Sequence, residues 1–293
     1  MKKSLFPWMA AALLLAASCT GGQPGFKTEK QHFADSTAHA RLTLNAELPV
    51  ANDEGTAVMR QTLVDVMDRA LSQIDSYDGK RTFPRFEGDI NDTKALFAYY
   101  EEQTLADIGA RSQAACDERA AGIMESETLS DEEKQRYISQ APGWAFDFNL
   151  EKVYETERFV VFDSQNYVYL GGAHGGVVGA GPMTFDKKSG MRIRDFFQPG
   201  VEEEMQPLLR RGMGEYFKER MEAVDMELDA FLSLDGGRIP LPKWAPCPGK
   251  DGLKLIYQQY EVAPYAAGMP EFVLSYEEVA PYLQAEAKAD LGL

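Results

Sequence analysis

Cysteine and histidine are scarce in this 293-residue sequence, which holds three of each. Three cysteines are too few for a disulfide scaffold, and they lack the paired spacing of a zinc site. Basic charge is also short: 30 Lys and Arg face 46 Asp and Glu, a net charge of -16. The basic residues are scattered, so a phosphate backbone meets repulsion and nucleic acid is not an expected partner. No Gly-Lys-Ser/Thr, no Gly-x-Ser-x-Gly and no His-x-x-x-His occurs. The signatures of a phosphate loop, an α/β-type serine hydrolase and a helical metal site are therefore missing, and no cofactor or metal is expected. What is present is the make-up of a folded chain, 44% hydrophobic, 11% aromatic and 26% charged. That balance excludes a disordered, collagen-like or coiled-coil protein. The length suits one large domain or two ordinary ones.

The start of the chain reads as an export signal. Lys2 and Lys3 precede an apolar run from Leu5 to Ala17, shorter than the roughly 20 residues of a membrane-spanning helix. Leu15-Ala16-Ala17-Ser18-Cys19 then resembles the lipobox of bacterial lipoproteins, with Leu15 one place further from the cysteine than usual. The resemblance implies that residues 1–18 are a signal peptide and that Cys19 carries a lipid. An ordinary secretory signal with an Ala-x-Ala cut is the alternative. Cutting before Cys19 leaves 28 basic against 46 acidic residues, so the body is acidic and held off anionic membranes. Residues 19–40 are small and polar, then aperiodic, and read as a lipidated tether. Thr20 to Pro24 carries no acidic run, which favours a periplasm-facing lipoprotein of the cell envelope.

Beyond the tether, Arg41 to Leu48 alternates apolar and polar residues, the period of a half-buried strand. Val58 to Ile74 repeats at helical spacing, Asp92 to Ala121 is mostly helical, and Ser130-Asp131-Glu132-Glu133 has the form of a capping box. From Trp144 onward strands dominate. Phe159–Phe162 and Tyr167–Leu170 read as two strands joined by a turn at Asp163-Ser164-Gln165-Asn166. Val201 to Glu222 is the clearest later helix, with Glu202, Glu203 and Glu204 in its first turn, where the helix dipole favours acids. Leu253–Tyr257 and Phe272–Leu274 are further strands. Strands are grouped rather than alternating regularly with helices, so the expected class is α+β, with mainly antiparallel sheets packed by helices.

Two segments carry a more specific pattern. One is Tyr169-Leu170-Gly171-Gly172-Ala173-His174-Gly175, followed by Thr184-Phe185-Asp186, Ser189-Gly190 and Asp195-Phe196-Phe197; the other is Tyr260 to Gly268. Together they resemble the DUF3298 family over roughly residues 155 to 285. That module is similar to the extracytoplasmic part of RsiV-type anti-sigma factors and to a non-catalytic part of PdaC-type peptidoglycan deacetylases. The resemblance divides the folded chain into a DUF4163-like N-terminal module, residues 41–155, and a DUF3298-like C-terminal module, residues 156–293. It implies binding rather than catalysis: in the anti-sigma relatives the module senses lysozyme, and in the deacetylases it accompanies a separate enzyme domain. The expected partner is thus an envelope protein or glycan.

Candidate site residues follow from the same two segments. His174 lies among Gly171, Gly172, Gly175 and Gly176, which let the backbone turn tightly and approach other groups. Tyr260, Glu261 and Tyr265 flank Pro264 and suit a sugar or peptide contact surface, or else a packed corner. His32 and His39 fall in or beside the tether, so an envelope hydrolase acting on peptidoglycan or esters, the rival reading, depends on His174 alone. Thr184-Phe185-Asp186 resembles the opening of a polysaccharide-deacetylase motif, but Lys187 and Lys188 follow and Asp186 reads as a turn residue. Trp244, in a Pro-rich loop, would add to a binding surface if exposed. Cys116 and Cys247 are the thiols left after lipidation; the compartment permits a disulfide between them, and burial of Cys116 as a free thiol is the alternative.

Overall fold

A computed structural model of the chain describes residues 26–74, 78–221, 228–234 and 236–293. The expected signal peptide, the expected lipid site Cys19 and the start of the expected tether lie outside them. Thr28–Ser36 (β1) pairs antiparallel with Ala40–Pro49 (β2), Phe33 opposite Leu44. The expected tether is thus a strand from Thr28 onward. Its polar sequence hides it because β1 is a sheet edge, wetted along most of its length.

In β2 the alternation is obeyed: Leu42, Leu44, Ala46 and Leu48 are buried. The chain then leaves the sheet for three helices. Glu54–Ser72 (α1) starts at a reciprocal cap in which Asp53 accepts from the Thr56 N–H at 2.8 Å and Thr56 Oγ1 accepts from the Asp53 N–H at 3.1 Å. Thr93–Met124 (α2) buries Leu96, Phe97, Tyr100 and Ile108 on the sheet, and its buried side ends at Ser112. Beyond that point it packs beside Asp131–Ser139 (α3), which buries no residue and starts at the expected Ser130–Glu133 capping box. The pair forms an exposed arm.

Trp144–Glu155 (β3) returns parallel to β2, with Leu42 opposite Phe146 and Leu44 opposite Phe148. Phe159–Tyr169 (β4), Gly176–Asp186 (β5) and Arg192–Ile193 (β6) complete a six-stranded sheet in sequence order, antiparallel except for β2–β3. The turn expected at residues 163–166 is instead the middle of β4. Ser164 and Asn166 point to the buried face, and β5 bulges at Gly179 and Ala180 opposite Gln165.

A second unit follows. Glu202–Met221 (α4) lays Met205, Leu209, Met213 and Phe217 over a small antiparallel sheet of Cys247–Pro248 (β7), Leu253–Ile256 (β8) and Glu271–Leu274 (β9). Contact is close enough that a Cβ added at Gly212 would lie 2.2 Å from the Phe272 ring. Tyr276–Val279 (α5) and Ala285–Leu291 (α6) close the chain, and Phe197 bridges to Leu283. The molecule is α+β, 38% helical and 26% strand, with mostly antiparallel sheets.

Two hydrophobic cores result, one spanning residues 40–185 and the other 196–287. The expected boundary at 155/156 falls between β3 and β4, adjacent strands of one sheet; the cores part about 35 residues later. Trp244 is buried, not exposed: its ring covers Gly181, whose φ of +63° and missing Cβ make room for it. No helix among the described residues is long and apolar enough to cross a membrane.

Candidate functional site

The β4–β5 connection carries the glycine-rich segment. Gly171 turns it with φ +76°, and a Cβ there would approach the Pro142 carbonyl to 3.3 Å; Gly172 faces open space. Gly175 is buried where Tyr167 crosses it, 2.3 Å from where its Cβ would be. Tight backbone passage thus explains Gly171 and Gly175, but nothing at Gly172 requires glycine.

The turn presents His174 to the second unit. Its imidazole stacks on the Tyr265 ring, centroids 4.0 Å apart and planes 24° from parallel. His174 Nδ1 lies 2.9 Å from the Gly175 carbonyl, which also accepts from Tyr265 Oη at 2.9 Å. With Nδ1 as donor, Nε2 is left as an acceptor, and Tyr260 Oη stands 3.4 Å from it. The Tyr260 and Tyr265 rings are 5.8 Å apart. His174 and the Tyr260–Tyr265 pair, 86 residues or more along the chain from it, therefore form one aromatic plate across the seam between the units.

Tyr260 stands out in this plate. Among the described residues it is the one non-glycine with positive φ, at 65°, and it is 64% exposed. An L-residue pays roughly 1–2 kcal/mol to sit there, and exposed ring area returns little. Burial does not account for the strain. Glu261 is placed differently: its carboxylate accepts from the Lys243 N–H at 2.7 Å and the Gln258 N–H at 2.8 Å. It fixes the loop that holds Tyr260 and is not part of the plate.

Gln259 was not legible as a site residue, since one amide in a polar run gives no signal. Its Oε1 accepts from the Val177 N–H at 3.0 Å and pins the Tyr260 loop to β5. Asp186 is the expected turn residue, accepting from the Ser189 N–H at 2.7 Å. The glutamates at the start of α4 are on the surface, Glu203 pairing with Arg238 at 3.1 Å. Among the described residues no three His, Cys, Asp or Glu side chains converge to hold a metal ion.

The possible Cys116–Cys247 disulfide is not formed; both thiols are free. Cys116 sits on the arm of α2, and Cys247 on β7 against the other unit's sheet. Burial, with Asp163 nearby, pushes the Cys247 thiol up to about 11, so it stays protonated and unreactive. Asp163 is itself raised, chiefly by burial and against a hydrogen bond from Gln165.

Chemically, the plate offers a ring face, one imidazole acceptor and a tyrosine hydroxyl. The hydrogen-bond partner of His174 Nδ1 is a backbone carbonyl, where a hydrolytic base would have an orienting carboxylate.

Comparison with known proteins bears on the family. Residues 194–277 match the model of the DUF3298 family, described as a protein of unknown function. The match covers the second unit up to the start of α5, with its Tyr260–Gly268 segment, and leaves out α6 and the His174 turn. No curated protein matches the sequence. Among solved structures, a DUF3298 family member from Bacteroides fragilis superposes with a TM-score of 0.62 at 16% identity, covering 91% of this chain and 96% of its own. A DUF3298 family protein from Pseudomonas aeruginosa gives 0.55 at 14% identity, over 92% and 97%. Residues 194–277 thus carry the DUF3298 pattern, and over about nine-tenths of the chain the fold is similar to that of two solved members of that family.

Proposed function

We propose that this chain is a non-catalytic binding module of the bacterial cell envelope, contacting an envelope glycan or protein through His174, Tyr260 and Tyr265. The observation that carries this reading is Tyr260, an exposed ring held in a strained left-handed backbone beside an imidazole and a second tyrosine. Exposed strain that packing does not repay is a mark of function. Tyrosine gives a large, stiff contact area with few rotatable bonds, which suits recognition. The hydrolase reading is disfavoured because His174 donates to a backbone carbonyl and Glu261 is engaged with two backbone N–H groups.

In this reading Cys19 carries the lipid and the body faces the periplasm. Between Cys19 and the start of β1 at Thr28 lie eight residues, about 30 Å at full extension. The body is therefore held close to the membrane. Residues 41–155 stand in the place of the DUF4163-like partner module, with the α2–α3 arm as an addition.

The test is retention of the purified chain on peptidoglycan sacculi and on immobilised envelope proteins, for wild type and His174→Ala/Tyr260→Gly. Loss of retention in the double variant, with an unchanged melting temperature, supports the module. Release of soluble fragments by wild type, abolished by His174→Ala, overturns it in favour of a hydrolase.

A further inference from the structure

On the helix side of the first sheet a cavity of about 550 Å³ opens between α1 and strands β3, β4 and β5. Pockets of this size hold small molecules. Val66 and Ala70 of α1 face Phe146, Val168 and Ala180 across it, so the walls are apolar. Two polar features interrupt them. Asn166, only 2% exposed, lines the cavity with its side-chain oxygen unpartnered. Ser164, two residues along the same face of β4, also has a buried hydroxyl without a partner. Across the sheet Asn166 stands opposite Phe148 on β3 and Val178 on β5, neither of which offers a side-chain hydrogen-bond partner.

The second feature is charge. Arg69 of α1 lines the cavity and is exposed, and Arg192 on β6 is close enough to feel it. Arg192 Nη2 donates to the Pro182 carbonyl at 3.3 Å, while its Nε is buried and unpartnered. Arg194 adds a third guanidinium, and the charged neighbours acting on Arg192 are these two arginines, both lowering its hold on its proton after burial has done so. In a chain of net charge -16, Arg69 is the one charged side chain among the described residues lining this apolar cavity, and with Arg192 and Arg194 nearby it makes a local field that attracts an anion.

We propose that this cavity binds a small amphipathic carboxylate: its apolar chain against Val66, Ala70, Phe146 and Val168, a hydroxyl on Asn166, the carboxylate on Arg69. A hydroxyl satisfies either end of the Asn166 amide, and a guanidinium takes a carboxylate in a two-pronged bond. No residue of the site belongs to the aromatic plate, so the two readings stand or fall separately.

Calorimetric titration of the purified chain with 3-hydroxydodecanoate, dodecanoate and neutral octyl glucoside, all below micelle-forming concentrations, tests the site. Saturable one-to-one binding is expected for 3-hydroxydodecanoate, weaker binding for dodecanoate and none for the glucoside. Arg69→Gln lowers affinity for both acids by about tenfold, Ala70→Trp fills the cavity and abolishes it, and His174→Ala leaves it unchanged. Should Ala70→Trp not fold, Val178→Glu at the half-exposed wall places a repelling charge in the same mouth. Absence of saturable binding, equal affinity for the glucoside, or wild-type affinity in Arg69→Gln and in the filling variant overturns the proposal.

Discussion

The two units are held together by different means. The first core contains buried charge: Asp68, 2% exposed, accepts from Arg81 Nη1 at 2.8 Å and from Tyr100 Oη at 2.6 Å. Arg60, equally buried, donates to the Ile90 and Pro49 carbonyls at 2.9 and 2.7 Å. That core also has a cavity on one side and an arm of α2 and α3 outside it. The second core is apolar and close-packed, with α4 seated on β9 at a glycine. The family model recognises the second, while the first is matched by fold. Interlocked apolar packing leaves a tight sequence pattern, because a change of one methylene is felt.

The difference can be broken from either side. Asp68→Ala removes the acceptor from Arg81 and Tyr100 together. It should destabilise the first unit by about 3–5 kcal/mol, read as a lower urea midpoint with loss of amide protection in α1 and α2. If both units lose protection equally, they fold as one and the contrast fails. Gly212→Val puts atoms where the Phe272 ring now lies. The expected cost is about 1–3 kcal/mol, with protection lost first in α4 and β9. Ser275→Ala removes the cap that accepts from the Glu278 N–H at the start of α5. Its cost is about 1 kcal/mol.

Glu278 sharpens the contrast through pH. Arg211 at 2.7 Å, then Ser275, hold its carboxyl down at about 2. A lowered folded value adds stability that is present above the ordinary value of 4.5 and lost as pH falls toward 2. Asp163, at the seam between the units, behaves oppositely. Its folded value is raised by burial, so below its ordinary 3.8 it contributes nothing, and as pH rises past that point it destabilises. Asp163→Asn should therefore raise the melting temperature at pH 7 by a small amount and not at pH 3. A gain that is the same at both values would contradict the burial argument.

Those particulars also explain what could be read in advance. The period of β2, the stripe of α1 and the Ser130–Glu133 cap were legible because each is a local pattern obeyed locally. β1 was not, since Glu29 and Gln31 share its inward face with Phe33 and leave no apolar alternation to read. The polar run in β4 passed for a turn because its buried Ser164 and Asn166 contradict the usual rule for strand interiors. His174, Tyr260 and Tyr265 were visible as motif residues, and the structure brings them together. Glu261 shared the motif but serves the backbone, its two carboxylate oxygens taken by the Lys243 and Gln258 N–H groups, whose approach no local pattern announces. The cavity had no signal at all, because α1 and β5 approach across more than 100 residues of chain.

The claim that the aromatic plate exists for contact rests most directly on Tyr260, and one variant isolates it. Tyr260→Gly relieves a strain of roughly 1–2 kcal/mol and adds back about 0.5–1 kcal/mol of chain entropy, so stability should be unchanged or slightly raised. Melting temperature and retention on envelope sacculi and proteins are to be read on the same preparation. The account predicts an equal or higher melting temperature together with lost retention. A variant that melts several degrees lower while retaining its partners would mean that Tyr260 is there for the fold, and would contradict it.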